Sequence, residues 1–174
     1  MQNKIKSLFI ICLIASISIL TSCGSDDDGP AVSPIVGTWT YNAIDLNITV
    51  NNQPFAAFLV STGEYTAAEA AAFEAFLKAT FISEADLTGS SITFNADGTC
   101  RLVDGSTTES GTYALQSNNT ILSLTFDGDT QLLDVKELTN NRLVLSFTEE
   151  DFEDIDEDGV NENIKLIFEI TFVK

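Results

Sequence analysis

From Val36 onward, apolar and polar residues alternate in short runs separated by turn residues, the period-two pattern of strands with one buried face. Trp39, Tyr41 and Ala43 alternate, and Leu46, Ile48 and Val50 continue in the opposite phase. One long first strand with a bulge or bend near Ile44 and Asp45 accounts for that shift. Ile92 and Phe94 precede Asn95-Ala96-Asp97-Gly98, and Cys100 and Leu102 follow, which predicts a hairpin with a four-residue loop. Tyr113 and Leu115 mark another strand after Gly111. Leu122, Leu124 and Phe126 run up to Asp127-Gly128, and Leu133 and Val135 resume beyond it. Leu143, Leu145 and Phe147 follow Asn140-Asn141, and Ile164, Leu166, Phe168, Ile170 and Phe172 give the cleanest alternation of all. Eight strands joined mostly by short turns predict a mainly β fold, an antiparallel up-and-down barrel. Eight strands suffice to close around side chains or one small ligand.

One segment departs from this pattern. An alanine-rich stretch from about 66 to 81 predicts a single inserted helix, with Thr66 as its cap and Glu69 completing a capping box. Phe73, Phe76, Leu77 and Thr80 or Phe81 recur at i, i+3, i+4, i+7 and predict one apolar face. Lying between the first two strands, this helix would cover one barrel end, either as a plug that closes the core or as a lid over a ligand, with Phe73, Phe76 and Leu77 facing it.

The first residues follow a different logic. Lys4 and Lys6 precede an apolar stretch of 13 residues from Leu8 to Leu20, too short for the roughly 20 that span a bilayer as a helix. Leu20-Thr21-Ser22-Cys23 then resembles the lipobox of bacterial lipoproteins. That resemblance implies a signal peptide of residues 1–22, cleavage before Cys23, and lipidation of Cys23 with a diacylglycerol and an acyl chain such as palmitate. Several chains anchor firmly where one would not, at ~0.8 kcal/mol per buried CH₂. Residues 23–34 are too polar to bury a core and predict a flexible acidic tether. Within it Ser25, Asp26, Asp27 and Asp28 resemble the surface-export signal of certain Gram-negative lipoproteins. The implied location is the outer membrane, facing the cell exterior. Residues 35–174 form the remaining domain.

Charge and composition narrow the function. The chain carries a formal charge of −18, and losing Lys4 and Lys6 with the leader leaves 6 basic residues against 26 acidic ones. Such a surface repels phosphate backbones, which excludes nucleic acid as a partner. There is no histidine, so Ser-His-Asp and Cys-His catalysis in their usual forms are absent. Cys12 falls in the leader and Cys23 at the lipid site, so Cys100, in a strand-like run, reads as a small buried apolar residue.

One local motif carries chemistry. In Asp154-Ile155-Asp156-Glu157-Asp158-Gly159-Val160-Asn161-Glu162, the aspartates and Gly159 match the opening of a calcium loop. Asp154, Asp156, Asp158, the Val160 carbonyl and Glu162 would then be the metal ligands. The twelfth position, where such loops place a bidentate glutamate, is Lys165, so Ca²⁺ would need further oxygens from Glu149, Glu150 or Asp151. Without an ion, the segment is a solvated acidic hairpin tip.

Gly37-Thr38-Trp39, the run from Ile92 to Thr99, and Gly111-Thr112-Tyr113 together resemble the lipocalin-like domain of Gram-negative lipoproteins, over about residues 35–174. The resemblance implies an up-and-down barrel in which Gly37 and Trp39 open the first strand and Trp39 seals the base. It also implies a small apolar ligand as one candidate, beside a surface protein or glycan partner. The expected function is a non-catalytic, membrane-tethered binding module. The alternatives are an envelope accessory subunit with a filled barrel, or a calcium-stabilised module for glycan or protein. Acid pairs such as Glu149 and Glu150 sit in a dense charge run, which more often marks a solvated face than an active site, so an enzyme is not expected.

Overall fold

The computed structural model describes residues 33–82 and 87–174. The leader, Cys23, the Ser25 to Asp28 run and the tether as far as residue 32 lie outside the described residues. Ser33 and Pro34, the last tether positions, enter the fold through a turn in which Val36 N–H donates to Ser33 O (3.0 Å).

Among the described residues, nine strands form one sheet: β1 (Gly37–Val50), β2 (Gln53–Pro54), β3 (Ser91–Phe94), β4 (Thr99–Asp104), β5 (Thr107–Gln116), β6 (Ile121–Phe126), β7 (Asp129–Leu138), β8 (Arg142–Glu153) and β9 (Glu162–Val173). All pairings are antiparallel, and β1 also pairs with β9 from Thr40/Val173 to Val50/Ile164. That pairing closes an eight-stranded barrel, with the two-residue β2 as a short flap on the end of β1. The bulge in β1 falls at Asn42, between the Tyr41/Phe172 and Ala43/Thr171 pairs, two residues earlier than the phase shift suggested. The extra residue reverses the alternation, so Trp39 before it and Leu46, Ile48 and Val50 after it all face inward and are buried.

Short turns follow their residue chemistry. Asp127 and Gly128 both have positive φ (50° and 92°), the two-residue turn that matches strand twist. The Asn95 to Gly98 loop closes with Asn95 N–H donating to Thr99 O (2.9 Å), as expected for a four-residue connection.

The interior is filled from the base upward. Trp39, Phe94, Cys100, Leu122, Leu124, Phe126 and Leu143 form the basal cluster with Ile35. Trp39 is fully buried and its Nε1–H donates to Ile35 O. The Lys174 ammonium lies 4.3 Å from the Trp39 ring centroid and donates to Pro34 O and Val36 O at 2.6 and 2.8 Å. The last residue thus clamps the incoming chain over the indole, a cation–π contact worth about 0.5–2 kcal/mol. Phe94 packs edge-on against Tyr113 with centroids 4.7 Å apart. Higher up, Phe147 and Phe168 stack at 4.7 Å and join the basal cluster to a second one around Leu46, Ile48 and Val50.

Gly111 explains its own place in the sequence motif. A Cβ there would meet the Thr125 carbonyl and come within 2.7 Å of the Phe126 ring, so only glycine lets that ring cross β5. We expect Gly111→Ala to destabilise the fold by about 1–3 kcal/mol or more through overpacking. Equilibrium urea unfolding checks this, and an unchanged midpoint would contradict the packing described.

Candidate functional site at the distal end of the barrel

The chain enters at the base beside Trp39 and Lys174, and the opposite, distal end gathers what lies between β1 and β3 and between β8 and β9. Two helices sit there rather than the single one predicted: α1 (Phe55–Ser61) and α2 (Ala67–Phe81). α1 is the plug. Phe55, Phe58 and Leu59 are buried against Leu46, Ile48, Val50 and Phe168. The i, i+3, i+4 spacing of those three residues after Pro54 was the available signal, but seven residues make less than two full turns and define no lasting periodicity. Pro54 offers no side-chain cap, and Glu74 of α2 accepts from Ala56 N–H (3.2 Å) instead, while pairing with Lys78 (2.9 Å).

α2 begins where expected. Thr66 Oγ1 accepts from Glu69 N–H and the Glu69 carboxylate accepts from Thr66 N–H, a complete capping box. The Thr66 hydroxyl also donates to Glu69 Oε2 (2.7 Å), and that bond, together with the one from Thr66 N–H, holds the Glu69 carboxyl below its ordinary pKa. The predicted face needs correction. α2 packs on α1 through buried Ala70 and half-buried Leu77 and Phe81, whereas Phe73 is 38% and Phe76 64% exposed. Phe73 stacks on Tyr65 and touches Phe55, so it covers the plug from outside, and Phe76 faces solvent. The reason is geometric: Ala70, Leu77 and Phe81 meet the core cluster, Phe73 reaches only its margin against Phe55, and Phe76 lies one residue, about 100° of rotation, away from Leu77. Of the three candidate ligand-facing residues, only Leu77 points inward.

The β8–β9 loop reaches the same end, since Ile155 packs into the cluster that holds Ala70 and Leu77. Carboxylate oxygens of Asp154, Asp156 and Glu162 lie within 4.8 Å of one another. Glu162 is only 4% exposed, and its Oε2 accepts from Ile155 N–H (2.9 Å). Asp154 accepts from the N–H groups of Asp158 and Gly159. Asp158 is not drawn into the group, because its Oδ1 accepts from Val160 N–H (2.8 Å), and Val160 is 62% exposed. Of the four predicted carboxylate ligands, Asp154, Asp156 and Glu162 therefore converge and Asp158 does not. Lys165 is directed away, to Glu150 Oε1 at 3.0 Å, and together with Asn163 it pulls the Glu150 carboxyl below its usual pKa.

Among the described residues, the barrel interior presents no comparable cluster of acidic side chains. Cys100 is 2% exposed and burial pushes its thiol pKa up, opposite to what a nucleophile needs. Arg101, on the next position of β4, is exposed. Two open clefts of ≈ 430 Å³ lie on the outside of the barrel, one between β7 and β8 and one near Asp45, Lys136 and Glu169.

Residues 35–145 match the lipocalin-like domain family. The chain belongs to that family. The matched region runs from buried Ile35 at the base into β8, so the ends of β8 and β9 with their acidic loop lie beyond it. No match is found among curated proteins. Among solved structures, a DUF4847 family protein from Bacteroides vulgatus is similar at 16% identity over 80% of this chain and 92% of that one, with a TM-score of 0.38.

The two aromatic sets of this lipocalin-like barrel should respond differently to truncation. We expect Phe58→Ala to cost about 3–5 kcal/mol and Phe76→Ala to stay within about 0.5 kcal/mol. Thermal and urea unfolding of both variants checks this, and equal costs would mean that α2 seats on the barrel through Phe76.

Proposed function

We propose that this chain is a lipid-anchored, non-catalytic lipocalin-like module that engages a surface protein or glycan on the outside of its barrel. The observation that carries this reading is the filled interior. Trp39, Phe94, Leu122, Leu143, Leu46 and Val50 are all at or below 1% exposure, and α1 closes the distal mouth with Phe55, Phe58 and Leu59. A small apolar ligand would have to displace these side chains at several kcal/mol, whereas the outer face costs nothing to reach. The same filling suits an envelope accessory subunit, and a partner on the outer face is what both readings share.

Chain direction supports the arrangement. The lipobox-like Leu20-Thr21-Ser22-Cys23 places the lipid a dozen residues before Ile35, within a reach of about 40 Å. The anchor then attaches at the base, leaving α2 and the acidic loop at the far end of the barrel. The aspartates after Cys23 favour display on the outer face of the outer membrane. The module is read as non-catalytic: the Glu150 carboxyl, one of the candidate acids, is held below its usual pKa by Lys165 and Asn163 and makes a poor proton donor.

A second element of the reading is calcium at the β8–β9 loop. Three clustered carboxylates repel one another, and one of them, Glu162, is almost wholly buried. A hard cation there would relieve the repulsion and stiffen the loop, with Asp154, Asp156 and Glu162 as ligands and carbonyls or water filling the remaining positions.

Two experiments test these points. For the anchor, mass spectrometry of protein from cells should show acyl mass on Cys23 and loss of residues 1–22, and Cys23→Ala should release the protein from the membrane fraction. A wild-type protein retaining its leader would refute the anchor. For calcium, 5 mM should raise the Tm by a few degrees if Kd lies near the ~10⁻⁴ to 10⁻³ M of extracellular sites. Glu162→Gln should abolish that shift, and a wild-type Tm indifferent to calcium would remove the ion from the account.

A further inference from the structure

The barrel is not paired all the way up. β7 and β8 are in register only from Leu138/Leu143 to Asp134/Ser146. Above that level β7 continues to Asp129 paired with β6 alone, and β8 continues from Phe147 to Glu153 paired with β9 alone. The strands splay, and the open cleft of ≈ 430 Å³ lies between them, lined by Gln131, Leu132 and Asp134 on β7 and by Ser146, Thr148 and Glu149 on β8.

Two strand edges therefore face each other across a gap too wide for direct pairing. Antiparallel pairing sends the backbone groups of alternate residues to opposite edges, so half of those between Phe147 and Glu153 face a side that carries no strand among the described residues. Phe152 N–H donates to its neighbour's side chain, Asp151 Oδ1 at 2.8 Å. Leu132 on β7 and Phe152 on β8 are each 59% exposed. Natural edges of this kind are normally shortened, bulged or covered.

The geometry points to this β8 edge as the docking site for an extended, lysine- or arginine-bearing segment of a partner protein, added as a strand between β8 and β7. The proposal rests on the binding-module reading above and names its site. Charge decides the occupant. The seven residues from Phe147 to Glu153 include Glu149, Glu150, Asp151 and Glu153, and Asp134 stands across the cleft. The cations nearby are committed, Lys165 to Glu150 and Lys136 to Asp134. A second copy of this chain would set carboxylate against carboxylate, and an acidic or phosphorylated strand would do the same, whereas alternating cationic and aliphatic side chains answer both the charges and the exposed Leu132 and Phe152. Backbone pairing would supply affinity and the flanking side chains selectivity.

The test uses the full-length protein and three synthetic heptapeptides: alternating lysine and valine, the same peptide N-methylated at alternate residues, and alternating glutamate and valine. Binding is read by fluorescence anisotropy at low and moderate salt. The lysine peptide should bind, and its N-methylated form should bind roughly tenfold or more weaker because it cannot complete the ladder. The glutamate peptide should not bind, and Glu149→Lys should weaken the lysine peptide by a comparable factor. Equal affinity for the N-methylated peptide would reduce the effect to charge attraction and overturn the proposal, as would no binding of the lysine peptide or concentration-dependent self-association through this edge. Loss of the peptide result with Cys23 anchoring intact sinks the docking site alone, whereas an anchor that fails leaves the peptide result to stand by itself.

Discussion

The pairing of β1 with β9 is the constraint on which the rest depends. A meander of strands has two free edges, and only joining the first strand to the last removes them. Here that junction works because of one extra residue. Without the bulge at Asn42, β1 would keep a single phase over 14 residues, and either Trp39 or the Leu46 to Val50 set would point into water. With it, both halves of β1 face the interior, the lower half sealing the base around Trp39 and the upper half offering α1 a surface on which to bury Phe55, Phe58 and Leu59. Lys174 completes the closure from the other strand, drawing the carbonyls of Pro34 and Val36 over the indole.

A barrel filled in this way moves binding outward. The interior has its aromatics locked by packing and edge contacts, and the mouth is closed by a helix whose own N-terminus is capped by a second helix. What remains accessible is the upper ribbon of β8 and β9, its acidic loop, and the gap that opens where β8 outruns its pairing with β7. The upper β8–β9 ribbon and its loop lie beyond the region matched by the lipocalin-like family, whereas Gln131, Leu132 and Asp134 on the β7 side of the gap lie within it. The ribbon also holds the densest charge, so its field repels like-charged partners and defines the kind of surface that could approach it.

Legibility in the sequence followed the range of the interaction. The strands were readable because alternation is a property of neighbouring residues, and so was the start of α2, where Thr66 and Glu69 satisfy each other within one turn. The first-strand bulge was visible as a change of phase, though its location was not, because either side of a short irregularity can absorb the extra residue. α1 escaped because its three apolar residues occupy less than two turns. The apolar face of α2 was misjudged because Phe76 and Leu77 are adjacent in sequence, and which of them turns inward depends on where α1 lies. In the acidic loop, residue order suggested four carboxylate ligands, but Asp158 bonds to its own turn, and of the four only Asp154, Asp156 and Glu162 meet.

The sequence by itself determined a closed antiparallel β fold, the helix cap, the turns and the acidic character, since all of these arise from residue type and spacing along the chain. Only the tertiary structure decided that α1 plugs the mouth, that Lys174 lies over Trp39, that Glu162 is buried beside two aspartates, and that β7 and β8 part above Ser146. Each of these joins residues distant in the chain or depends on the relative lengths of neighbouring strands. Packing and register choose among partners that local pattern leaves equally available.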